Sequence, residues 1–334
     1  MQNIWYTKFN CNKQKIPHFR VLEGVIVAIA ISLIKKIAQL FISIFLGWFV
    51  VKIKLLKSED SKVISKIALF ITVPCLMITT FQIDYTPEIR DGLLLAILAA
   101  LVVNVTYAIF VNVFGKPFKL DTLEKSSIMF SNAGNLTMPV ILSVLGPDWT
   151  IYGVGYMLVQ DVFLWSYGRM LMSNEKKIDF KKMFLNVNMI ALFIGGLLFL
   201  LRIKLPEILQ GPVESFSAMV GPLSMFIAGM LIAGCTFKQV VSNKRIYLVI
   251  TMRMIVCPLI AMCILKFSGM ANLVPDGKMI LLVSLIASVA PTASTITNMA
   301  QIYGRDSVYA SSINVVTTLM CIITMPLMVF LYQL

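Results

Sequence analysis

Two apolar stretches, about half a chain apart, are each interrupted by a proline and a cluster of small polar residues. The first runs Phe130-Ser131-Asn132-Ala133-Gly134-Asn135-Leu136-Thr137-Met138-Pro139. The second runs Ser288-Val289-Ala290-Pro291-Thr292-Ala293-Ser294-Thr295-Ile296-Thr297-Asn298. Lipid offers no water to backbone N–H and C=O groups, so a broken helix is tolerated at membrane depth only where protein buries it or it lines a cavity. Paired breaks in matching halves of a polytopic chain point to a binding site at mid-membrane. The chain must therefore fold so that other helices shield both breaks.

The rest of the sequence fits that demand. Of 334 residues, 58% are hydrophobic and 13% charged, with mean hydropathy +0.86; soluble domains run at about half and a quarter. Ten apolar segments, each near the roughly 20 residues a bilayer requires, are predicted at 37–56, 63–81, 92–114, 126–145, 151–170, 183–203, 213–234, 246–266, 278–302 and 308–332. An all-α polytopic membrane protein of ten transmembrane helices is expected. Connections are short and leave no room for an extramembrane domain.

The net charge of +13 sits largely in short loops between apolar runs, which reads as an orientation signal and not as a nucleic-acid stripe. The odd-numbered segments are followed by 17 basic residues, from Lys52 to Arg305, and the even-numbered ones by 5 (Arg90, Arg202, Lys204, Lys266 and Lys278). The first set is predicted to be cytoplasmic, which puts both termini outside a plasma (cytoplasmic) membrane. Residues 1–20 form a polar N-terminal extension with Lys8, Lys13, Lys15 and Arg20. Residues 21–34 are too few to span, and read as an interfacial helix or an outward extension of the first segment.

Pro74 and Pro222 lie 148 residues apart, and Pro139 and Pro291 lie 152 apart, each pair in corresponding segments. Near-constant offsets predict two repeats of five helices, 21–172 and 183–334, joined by a cytoplasmic connector at 173–182. An odd number of helices per repeat inverts the second relative to the first.

Breaking the fourth and ninth segments exposes half-helix ends. N-terminal ends carry partial positive charge and free N–H donors, an anion site that needs no basic side chain. The polar residues at the breaks include Asn132, Asn135, Thr137, Thr292, Ser294, Thr295, Thr297 and Asn298. They are candidates either to hold a carboxylate or to satisfy the broken backbone. Gln160 and Asp161 lie in the fifth segment, and an intramembrane carboxylate is a functional hypothesis by default. Asp161 reads as a proton carrier, or as a fixed charge paired with Arg253 in the eighth. Ser311, Ser312, Asn314, Thr317 and Thr318 read as helix-packing residues. Gly229 to Gly234 reads as close packing or dimerisation.

Six cysteines (Cys11, Cys75, Cys235, Cys257, Cys263 and Cys321) have no metal-ligand spacing, and the single histidine, His18, lies in the polar extension. No metal, cofactor or catalytic residue is expected, and no GxxxxGK[ST] loop is present to bind ATP.

Asn132-Ala-Gly-Asn135-Leu-Thr-Met-Pro139 with a following Leu145-Gly146, Gln160-Asp161, and Pro291-Thr-Ala with a following Ile302-Tyr303-Gly304-Arg305-Asp306 resemble the auxin efflux carrier family. The likeness extends over about residues 22–333. It implies a ten-helix inverted repeat with segments four and nine crossing at mid-membrane. Segments 1, 2, 6 and 7 would form a scaffold, and 3–5 and 8–10 a moving transport domain. It places substrate on Asn132 and on Gln160-Asp161, with Asn135, Pro291, Thr292 and Ser294 near it, and makes Ser131, Gly134, Pro139 and Pro291 the crossover hinge. The chain departs from the plant carriers at Ser131, where they have proline, and at Asp161, where they have asparagine.

The expectation is a secondary carrier for a small organic anion such as malate or malonate, with proton coupling through Asp161 and any homodimer built on the scaffold helices. A sodium-coupled carrier of the bile-acid symporter type is the alternative; an intramembrane enzyme lacks a nucleophile–base pair.

Overall fold

The structure is a computed structural model and describes residues 38–39, 42–82, 84, 86–138, 140–141, 145–173, 187–233 and 243–334. The polar extension 1–20, most of the connector 173–182 and Pro139 lie outside these, as does the Asn135 side chain. Among the described residues 83% are helical and none lies in a strand. The helices are α1 (Ile42–Lys52), α2 (Ser58–Thr79) and α3 (Pro87–Val113), then α4 (Thr122–Met129), α5 (Thr150–Phe163) and α6 (Val187–Leu200). They continue with α7 (Glu207–Leu231), α8 (Lys244–Phe267), α9 (Gly277–Val289), α10 (Ser294–Ile302) and α11 (Ser307–Gln333).

Local chemistry sets several of these ends. Pro87 occupies the first turn of α3, where a missing N–H costs nothing, and Thr86 caps it by accepting from Ile89 N at 3.3 Å. Asp121 and Glu124 form a reciprocal capping box at the start of α4, and Asp306 accepts from Tyr309 N at 2.8 Å to start α11. The π turns Ala68–Thr72 and Met252–Val256 lie just before Pro74 and Pro258, where a proline cannot donate to the preceding turn and the ladder loosens. A third, Leu164–Gly168, extends α5 before a last turn at Arg169–Ser173.

Among the described residues five helices (α2, α3, α7, α8 and α11) are long and apolar enough to cross a membrane, and α1 and α9 are shorter apolar helices. The broken segments yield only short pieces, because α4 ends at Met129 and α9 and α10 are separated by residues 290–293. Along α3, Leu94, Leu98, Leu101, Val105 and Ile109 are exposed on one stripe, as a lipid-facing surface requires, while Ala96, Ala99, Ala100, Val103 and Tyr107 are buried.

Helix α2 packs against α6 and α7, whereas α3 packs along α5 and α9, and α11 against α8, α9 and α10. The two groups meet where α10 lies on α2 and α7, and where α11 lies on α7. Gly229 is consumed inside the chain: a Cβ there would sit 1.9 Å from Ile44 O of α1, and one at Gly47 would sit 2.1 Å from Phe226 O of α7. Gly229 therefore serves close packing within the chain, while Gly234 lies outside the described residues.

Candidate functional site

The two breaks lie against each other. Phe130 and Ala293 adopt extended backbone, and Ser131 faces Thr292 in a single antiparallel bridge. Asn132 N donates to Pro291 O at 2.7 Å, and Ala293 N to Phe130 O at 2.9 Å. Backbone groups freed from both helices thus satisfy each other, which is what burial at membrane depth demands. The first break falls at Ser131, the position marked by the family resemblance, directly ahead of the π turn Ala133–Thr137.

Four helix ends converge on this crossing. The carbonyl ends of α4 and α9 lie on one side, where the buried Arg253 of α8 receives them. The amino ends of the Ala133–Thr137 turn and of α10 lie on the other, and neither has a side-chain cap. There a cavity is lined by Ser131, Asn132, Gly134, Ala293 and Thr295 from the breaks. Its remaining walls are Val73, Leu76 and Met77 of α2, Met157, Gln160 and Asp161 of α5, Leu164 and Trp165 of the π turn, and Val220 of α7. Its volume of about 40 Å³ admits about three waters, at roughly 10–15 Å³ each.

Two buried donors at this cavity have no hydrogen-bond partner among the described residues: Asn132 Nδ2 and Trp165 Nε1. An unpaired buried donor is costly, and here both belong to cavity walls. No lysine or arginine lines the cavity. What it presents is neutral donors and helix amino ends. Asp161 is the one carboxylate on its walls and forms no ion pair among the described residues.

The other predicted site residues divide. Gln160 lines the cavity, but its amide is committed to Ser131: Oε1 accepts from Ser131 N at 3.1 Å and from the Ser131 hydroxyl, and Nε2 donates to Ser131 O at 2.8 Å. It braces the first break and keeps one N–H in hand. Thr292 is turned away from the cavity, its hydroxyl donating to Ser127 O at 2.9 Å and its N–H to Thr317 Oγ1 at 3.2 Å. Its carbonyl accepts from Asn314 Nδ2 at 2.8 Å, so α11, read from sequence as a packing helix, braces the second break. Pro291 contributes its carbonyl to the crossing, and neither it nor the buried Ser294 lines the cavity. Gly134 leaves room for Met157, whose Cε a Cβ would meet at 3.0 Å.

Thr295, a polar residue of the second break, lines the cavity, and Trp165 was missed as a wall residue of consequence. A tryptophan in an apolar run reads as packing, and only the absence of a partner for Nε1 sets it apart. The expected Asp161–Arg253 pair does not form, because all the Arg253 bonds go to backbone carbonyls.

A second charged cluster closes the end of the bundle where α4, α8 and α11 begin. Glu124, buried, accepts from Arg245 Nε at 2.6 Å, Arg245 Nη2 at 2.5 Å and Tyr309 Oη at 3.1 Å. Burial pushes the Glu124 carboxyl up, but the Arg245 guanidinium, the Asp121 N–H and the Tyr309 hydroxyl outweigh it and hold it below the usual range. A carboxyl lowered on folding stabilises the fold above its unfolded value, about 4.3, and that stability is lost as pH falls through the lowered value. Thermal unfolding of the solubilised protein is expected to show a falling midpoint below about pH 4. In Glu124→Gln the midpoint at pH 7 should be lower and the acid limb shallower. An acid limb identical to wild type in this variant would assign the loss to other carboxylates.

A family model described as membrane transport protein matches residues 32–329. No curated protein matches the chain.

Proposed function

The chain belongs to the membrane transport protein family, that of the auxin efflux carriers, and on that premise we propose that it is an alternating-access secondary carrier of a small organic anion, a dicarboxylate such as malate or malonate. The observation that carries this reading is the cavity at the crossing, where two uncapped helix amino ends meet the partnerless donors Asn132 Nδ2 and Trp165 Nε1. These groups suit a carboxylate: they donate, they are desolvated, and they need no counter-charge.

In this reading ten spans form two inverted repeats, 21–172 and 183–334, in the plasma membrane with both termini outside. Spans 1, 2, 6 and 7 stay fixed while the others move. Supporting it, the contacts between the two groups lie on the side of the basic loops: Asn298 Nδ2 donates to Ser224 Oγ at 3.2 Å, and Ser311 Oγ to Ala228 O at 3.1 Å. The cavity has room for only about three waters, so in this reading substrate enters once its walls part.

Asp161 shapes what is carried. A dianion beside this carboxylate meets repulsion with no cationic side chain to offset it. A proton taken up with the substrate, on Asp161 or on the dicarboxylate, removes it. Proton coupling in this reading needs no Arg253, and Asp161 is the candidate carrier of the proton on the protein.

Counterflow of labelled malate in proteoliposomes, competed by a panel of unlabelled anions, tests the proposal. Exchange is expected, with malonate and other small dicarboxylates competing. Asp161→Asn should still exchange at equal pH on both sides but lose its response to a pH gradient. A folded protein that exchanges none of the panel would sink the dicarboxylate assignment.

A further inference from the structure

Arg253 is completely buried in α8 and takes part in no ion pair among the described residues. A lone buried cation is expensive unless its donors are satisfied. Its Nε donates to Ala290 O at 3.2 Å, Nη1 to Ile128 O at 3.1 Å, and Nη2 to Ser288 O at 2.8 Å and Ala290 O at 2.5 Å. The Tyr107 ring lies beneath it at 6.0 Å and is held by its own hydroxyl, which donates to Cys257 O at 2.9 Å.

The chemistry of the acceptors is specific. Ile128 lies in the last turn of α4, and Ser288 and Ala290 at the end of α9, so the guanidinium receives the partially negative ends of both broken helices at once. In carriers built on broken helices, such carbonyl ends are where a coupling cation is held. Here the neighbouring carbonyls are also taken: Phe130 O by Ala293 N, Ser131 O by Gln160 Nε2, Pro291 O by Asn132 N and Thr292 O by Asn314 Nδ2. Every carbonyl in that set already accepts a hydrogen bond, which leaves each at most one lone pair, and a fixed positive charge sits among them.

We infer that Arg253 is a tethered cation that does permanently what a bound sodium ion would do at this crossing, joining the two half-helix carbonyl ends so that the carrier needs no sodium there. Arg253 is thus a positioning residue, holding the crossing whose other face forms the cavity. The inference rests on the carrier reading for its transport consequence only; its structural part stands without a substrate.

The test uses the full chain and separates the two. Thermal midpoints of the solubilised protein, with no substrate present, are compared in sodium, choline and low-millimolar guanidinium for wild type, Arg253→Ala and Arg253→Lys. Wild type should be the same in all three. Arg253→Ala should melt about 5–10 °C lower, since several buried carbonyls lose their donors, and guanidinium or sodium, but not choline, should restore part of the loss. Arg253→Lys, which keeps the charge with fewer donors, should fall between them and ignore the added cation. Where Arg253→Ala does not fold, the wild-type and lysine comparisons carry the test. In proteoliposomes, wild-type malate counterflow should be equal in sodium and choline. A wild type stabilised by sodium or exchanging only in sodium overturns the inference. So does a folded alanine variant indifferent to every cation, or a lysine variant no better than alanine. Failure of malate exchange with the melting pattern intact would overturn the substrate and leave the tethered cation standing.

Discussion

Asn132→Ala is expected to cut anion exchange by about 10- to 100-fold, the loss of one donor to a charged acceptor, while leaving the thermal midpoint unchanged or slightly raised. The two halves of this expectation come from different atoms of one residue. Asn132 is bound into the crossing through its backbone, where N–H donates to Pro291 O at 2.7 Å, and alanine keeps that bond. Its side-chain Nδ2 is buried without a partner at the cavity. Removing an unsatisfied buried donor relieves a cost instead of creating one. Gln160 is the contrast, because its amide makes three bonds to Ser131 and its truncation strips the first break of support. Counterflow and thermal unfolding measured side by side on Asn132→Ala decide the matter. A variant that melts lower and exchanges normally would make Asn132 a brace and remove it from the anion site.

Tying α7 to α10 should stop transport altogether. Asn298 Nδ2 meets Ser224 Oγ at 3.2 Å across the boundary between the helices proposed to stay and those proposed to move. Cysteines at 224 and 298, joined by a short cleavable reagent, should lower exchange by at least about tenfold and recover it on reduction, since a carrier that cannot shift presents its site to one side only. The experiment requires replacing all six native cysteines, of which Cys263 is exposed. A matched control lies within the fixed group: Thr79 Oγ1 and Ser217 Oγ are 2.9 Å apart on α2 and α7. Linking those two positions should leave exchange intact. Full exchange with 224 and 298 linked, or loss with 79 and 217 linked, would redraw the boundary between the two groups.

Much of this was readable in the residues. The breaks announced themselves, because polar clusters within apolar segments of bilayer length have few physical solutions. The low charge content and the basic bias of alternate loops led to a polytopic helical chain, and the structure is all-helical. Capping at Asp121 and Asp306 follows from residue type and spacing alone. The location of the first break was less legible: the backbone opens at Ser131, which carries no local breaking tendency of its own and is held open by Gln160 and by the partner segment.

The assignments that failed have a common cause. Pairing Arg253 with Asp161 was one of two readings of that carboxylate, but the guanidinium goes to helix-end carbonyls, which no sequence pattern displays. Thr292, open in the sequence between ligand and backbone support, is a strut, and Trp165, which no motif singles out, is a cavity wall residue with a buried donor that has no partner among the described residues. Periodicity, composition and the burial rule act along the chain or on whole segments, so the sequence alone determined that the helices are membrane-bound and that two are broken and sheltered. Which polar atoms are spent and which are left for a ligand depends on distances between segments more than a hundred residues apart, such as Ser131 to Thr292 and Arg253 to Ile128. Only the tertiary structure decides those distances, because hydrogen bonds form over about 3 Å and each side chain bonds to whatever packing brings within that reach.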